Sequence, residues 1–174
     1  DNATHTSHRG FPDRGPIGNA RHLVIRAESL SLDTGSVGSN SGGRGTAGSV
    51  TLDIAGDLWL TRGGITSQAS GPGDAGSITI AAANAYLDNG GSISSDSQIS
   101  EGGQVALVVD GLLDMGAASR ISTGAQTNIV EGVDPHSAGD ISIVAGELAM
   151  DGALIGSVAS GLNEGGIVGV EVAG

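Results

Sequence analysis

No cysteine and no lysine occur in this chain, and tryptophan, tyrosine and phenylalanine occur once each. Without cysteine there is neither a disulfide framework nor a thiolate metal site. Without lysine there is no Walker loop, whose phosphate grip depends on one. A core without aromatic bulk must be filled by Val, Ile, Leu, Ala and Met, which suits a narrow interior. No run of 18 apolar residues is present, so no transmembrane helix is expected. Asp1 stands where a start Met would be and no signal peptide follows, which suggests a processed product or an excerpt of something longer.

Positive charge is also scarce. Seven arginines face nineteen acids, for a formal net charge of −12. Nucleic acid is therefore not an expected partner, because its phosphates need a basic surface. The imbalance is uneven along the chain: five arginines stand against four acids in residues 1–44, and two against fifteen in the rest. Glycine, by contrast, is abundant at 32 of 174 residues. No Gly-X-Y period accompanies it, which excludes collagen. Gly, Ser, Asn and Asp instead punctuate short aliphatic runs, as turns do between strands.

Those runs repeat. AGSVTLDIAG (47–56), AGSITIAAAN (75–84), GGQVALVVDG (102–111), AGDISIVAGE (138–147) and GGIVGVEVAG (165–174) share one pattern, with a degraded version in ARHLVIRAES (20–29). Arg21, Gly48, Gly76, Gly103, Gly139 and Gly166 are equivalent, at intervals of 27, 28, 27, 36 and 27. The one long interval implies an insertion loop near 127–135. Period-two alternation places Leu23, Val50, Ile78, Val105, Ile141 and Val168 in one inward column. Ile25, Leu52, Ile80, Leu107, Ile143 and Val170 form the next. A second strand should follow, with Leu30/Leu32, Leu58/Leu60, Ala85/Leu87, Leu113/Met115 and Leu148/Met150 inward. Then come a turn, a lone apolar anchor (Val37, Ile65, Ile93, Ile121, Ile155) and, two residues on, a small hydroxyl (Ser39, Ser67, Ser95, Thr123, Ser157).

An antiparallel sandwich also alternates, but it does not require one order of elements at one period. The expected fold is therefore all-β: a single-stranded parallel β-helix of about six coils, roughly 27 residues per coil. Residues 1–19 are expected to be an irregular N-terminal segment and 20–174 the β-helix.

The units AGSVTLDIAGDLWLTRGGITSQASGPGDAGSITI and NGGSISSDSQISEGGQVALVVDGLLDMGAASRISTGAQ resemble the repeats of filamentous-haemagglutinin-type exoproteins. Those repeats run close to G-N-A-G-x-I-x-I, then a Leu-x-Leu strand, then N-G-A-x-I-S-S. The resemblance covers residues 20–174. It implies a right-handed parallel β-helix, export from a Gram-negative bacterium by two-partner secretion, and adhesive or fibre-forming roles.

The expected function is accordingly a secreted, extracellular or cell-surface structural module, with host or matrix glycans, cell-surface receptors or end-to-end self-association as partners. The alternatives are a polysaccharide-active β-helix enzyme, which needs converging carboxylates, and a filament-forming matrix subunit. The outward columns Arg26, Asp53, Ala81, Val108, Val144, Glu171 and Ser31, Trp59, Tyr86, Asp114, Ala149 place no two acids side by side, so no catalytic residue is assigned. No cofactor or metal is expected. His5 and His8 form an H-x-x-H within a Gly/Pro-rich stretch that is not helical, and His22 and His136 are isolated in sequence. The candidate binding residues are Trp59 and Tyr86, which share an outward column, and Asn128, Ile129, Glu131 and Asp134 of the insertion.

Overall fold

A strand with one aliphatic side must bury it, and 27 residues cannot do so alone; stacking like coils on one another solves the problem. The computed structural model describes residues 18–126 and 135–173, and all its assigned strands are stacked in that way. In chain order they are β1 (Leu23–Ala27), β2 (Leu30–Asp33), β3 (Ser36–Gly38), β4 (Val50–Thr61), β5 (Gly64–Thr66) and β6 (Ile78–Asp88). They continue with β7 (Ser92–Ser97), β8 (Val105–Met115), β9 (Arg120–Ala125), β10 (Ile141–Met150), β11 (Leu154–Ala159) and β12 (Val168–Val172). No helix occurs among the described residues.

Every ladder between these strands is parallel. One sheet runs β1–β4–β6–β8–β10–β12, with β2 beside β1 also paired to β4, and the other runs β3–β5–β7–β9–β11. The chain is thus a parallel β-solenoid of about five turns with roughly 28 residues per turn. This corrects the expected six coils, because β12 pairs with β10 but is only the first strand of a further turn.

Two details differ from the expected order of elements. The first and second strands of a coil are continuous in β4, β6, β8 and β10, bent at a register shift such as that between Ile54 and Asp57. The lone anchors also lie on strands, those of the second sheet, where Val37, Ile65, Ile93, Ile121 and Ile155 are in register.

The expected columns form the core. Val50, Ile78, Val105 and Ile141 are buried, as are Leu58, Leu60, Ala85, Leu87, Leu113 and Met115. Burying one such Leu or Ile is worth roughly 1.5–3 kcal/mol. The columns open at the ends of the stack: Leu23 and Ile25 are half-buried, while Val168, Val170 and Val172 are exposed, since no described coil covers them.

The hydroxyl column does bond inward, but mainly to backbone rather than along itself. The Ser67 hydroxyl donates to Gly48 O at 2.7 Å and accepts the Gly76 N–H at 3.0 Å. Ser39 donates to Arg21 O and Ser95 to Gly76 O. Thr123 and Ser157 both donate to Gly139 O, at 2.8 and 2.9 Å. This crowding explains the repeated glycine: a Cβ on Gly76 would lie 2.4 Å from Gly48 O and 2.7 Å from Ser67 Oγ.

At another corner, between the two sheets, the chain turns through a left-handed residue in every coil. These are Thr34 (φ 59°), Arg62 (φ 53°), Asn89 with Gly90 (φ 51° and 89°), Ala118 (φ 60°) and Gly152 (φ 68°).

Candidate functional site

Trp59 on β4 and Tyr86 on β6 are register partners in neighbouring coils, both on the outer side of the first sheet. The alternation that buries Leu58 and Leu60 turns Trp59 outward, and the same logic around Ala85 and Leu87 does so for Tyr86. Their ring centroids are 3.9 Å apart and their planes 14° apart, a stacked pair. That separation is close to the strand spacing of about 4.8 Å, so the rings stack along the solenoid axis and stand off the sheet. Each covers one face of the other. Their free faces look along the axis, towards Ser31 on the Trp59 side and Asp114 on the Tyr86 side. Cross-strand stacking of this kind stabilises the contact between coils, yet Trp59 remains 44% exposed.

The Tyr86 side opens into a hollow of about 260 Å³ lined by Trp59, Tyr86, Leu87, Asp88, Asp114 and Gly116. Its polar groups come from two columns. Asp114 follows Tyr86 in its own column on β8, while Asp88 ends β6 two residues after Tyr86. Both carboxylates belong to exposed residues. Asp88 is oriented by its neighbour: its Oδ1 accepts the Asn89 N–H at 2.8 Å and its Oδ2 accepts the Asn89 side-chain amide at 2.8 Å. Gly116 keeps the space open, since a Cβ there would come within 2.5 Å of Asp88 Oδ1. Asp114 has no hydrogen-bond or ion-pair partner among the described residues. An aromatic wall and two carboxylates standing over the sheet can hold one ring-sized ligand with hydroxyl or ammonium groups at its rim.

Comparison with protein-family models, curated proteins and solved structures finds no match to this chain. The site must be read from its own chemistry.

Sequence columns had brought Trp59 and Tyr86 together, and the structure places them in contact. They did not bring Asp88 to Asp114, because the two are diagonal, one coil and one column apart. Reading across columns as well as along them would have found the pair. Asn128, Ile129, Glu131 and Asp134 lie outside the described residues, as do His5 and His8. Register does place most of the extra chain of the long coil between Ala125 and Ser137, since Ala125 pairs with Ala159 and Ser137 with Glu164.

The histidines that look isolated in sequence have partners one coil away. His22 Nδ1 contacts the Ser49 hydroxyl. His136 Nδ1 lies 3.5 Å from Glu101 Oε1, while Glu101 Oε2 accepts the Ser137 N–H at 2.7 Å. This cluster pins the end of the insertion to the preceding coil. Among the described residues no group of three or more His, Asp or Glu side chains is arranged to hold a metal ion, and no helix is long and apolar enough to cross a membrane.

A second, smaller hollow of about 110 Å³ lies on the other sheet, among Asp96, Arg120, Ser122, Thr123, Gly124, Gln126 and Val158. Its carboxylate is already occupied: Asp96 Oδ2 accepts the Ser94 hydroxyl and lies 3.5 Å from the Gln68 amide. A hollow of about 350 Å³ at the first coil, between Gly18 and Gly43, is larger than either, but of the three only the one beside Tyr86 is walled by an aromatic ring.

Proposed function

We propose that this chain is a stiff, non-enzymatic module of a secreted or cell-surface protein, and that it holds saccharide on one flank through the Trp59–Tyr86 hollow. The observation that carries the reading is a stacked aromatic pair, partly exposed, with an open hollow and two carboxylates on its free side. The C–H face of a sugar ring is apolar enough to lie on tyrosine, and its hydroxyls donate to carboxylates. The solenoid sets that arrangement on a rigid sheet, so little order has to be gained on binding. The resemblance of the repeats to filamentous-haemagglutinin-type exoproteins supports the same placement, outside the cell and in an adhesive role.

Trp59 is the only tryptophan, so its fluorescence reports on this hollow alone. Titration with a panel of oligosaccharides should give a saturable change for at least one class, and Tyr86→Ala should abolish it. A panel without any response would overturn the saccharide reading. Asp88 and Asp114 beside an aromatic wall also suit a sugar-cleaving enzyme. Polymer incubated with the protein should keep its length under the binding reading, and shortened products would replace that reading by catalysis.

A further inference from the structure

The saccharide reading leaves open which sugars, and the charges around the hollow narrow the choice. We infer that its ligand is cationic: a sugar carrying a free amine, of the glucosamine type, rather than a neutral or N-acetylated one. This inference rests on the saccharide reading and adds the sign of the charge.

Tyr86 supplies a free ring face, and ring faces attract ammonium groups as well as C–H groups. Asp114, the residue that this face looks towards, is a carboxylate with no partner among the described residues. Asp88 stands at the other side of the hollow, and its two bonds come from the neutral Asn89. No cationic side chain lines the hollow. The arginine nearest in sequence, Arg62, is held by Asp33 at 2.8 Å, and Arg26 pairs with Asp53 at 3.6 Å. Arg120, six residues after Asp114, stands on the other sheet among the residues of the smaller hollow, and the chain has no lysine.

A neutral sugar would cover Asp114 while giving it only hydroxyl donors, so part of its hydration would go uncompensated. An ammonium group on the same ring supplies a charge-assisted hydrogen bond, roughly twice as strong as a neutral one. Beyond residue 44 two arginines face fifteen acids, and that field draws a cation towards the flank at a rate that salt reduces. The aromatic wall makes the hollow a site; the carboxylates decide the sign of what enters.

The test compares the glucosamine trimer with the N-acetylglucosamine trimer, identical but for the acetyl groups that remove the charge. Binding is followed by Trp59 fluorescence and calorimetry at low and at moderate salt. The amine form should bind at least tenfold more tightly, and Asp114→Asn, which keeps shape and removes charge, should close most of the gap. Tyr86→Ala should abolish the fluorescence response to both. Equal or tighter binding of the acetylated trimer would overturn the cationic assignment and leave the saccharide reading in place. Undiminished binding of the amine form to both variants would reduce it to general attraction by an acidic protein and overturn the assignment. No response to either trimer or to the wider oligosaccharide panel would remove both readings together.

Discussion

Ser67 is fully buried, and its hydroxyl joins two coils by donating to one glycine carbonyl and accepting from the next glycine N–H. Ser119 is also buried, yet its hydroxyl has no hydrogen-bond partner. The two serines therefore predict opposite outcomes for the same change. Ser67→Ala leaves a buried donor and acceptor without their partner and should cost about 1–3 kcal/mol. Ser119→Ala removes a hydroxyl that gains nothing and should leave stability unchanged or slightly raised. Urea midpoints of the two variants, at constant slope, check the contrast. The same reasoning applies to the ligand side: Asp114 can contribute to binding because the fold does not use its charge.

The corner between the two sheets is an element that period-two reading does not detect. Thr34, Arg62, Asn89 and Ala118 all adopt positive φ there without being glycine, whereas the third coil adds Gly90, the register equivalent of Ala118, and the fifth has Gly152. A left-handed L-residue costs roughly 1–2 kcal/mol, and glycine gives back part of that relief through its freedom in the unfolded chain. Ala118→Gly should therefore stabilise by about 0.5–1 kcal/mol. Gly152→Ala should lose about 1 kcal/mol, although the nearest atom to its new Cβ is 3.7 Å away, so that conformation and not space is what opposes it. Thermal unfolding of both variants separates these signs. Such corners were illegible because their residues share a conformation but not a residue type. The aliphatic columns were legible because burial selects one class of side chain at every coil. The second sheet lay between these cases: one apolar anchor such as Ile93 among serines gives too little alternation to mark a strand. At the candidate site, Trp59 and Tyr86 share a column and could be read, whereas Asp88 and Asp114 needed knowledge of where the strand bends and ends.

At the scale of the whole molecule, the described residues form a pile of turns whose hydrogen bonds run along its axis and whose chain path runs around it. The first and last coils are the two ends of the pile. Most turns contain 27 or 28 residues, but the one from Val105 to Ile141 contains 36. That inequality has a mechanical consequence. A force applied to the two chain ends loads the outermost ladder first, so the stack should peel turn by turn and not shear as a block. Each ordinary turn frees roughly 90 Å of chain, at about 3.3–3.6 Å per residue, and the long one about 120 Å. Single-molecule extension should thus show a series of near-equal steps with one longer step among them, at a place in the series that depends on which end opens first. A single release of the full length would mean that the turns share one barrier and fail together.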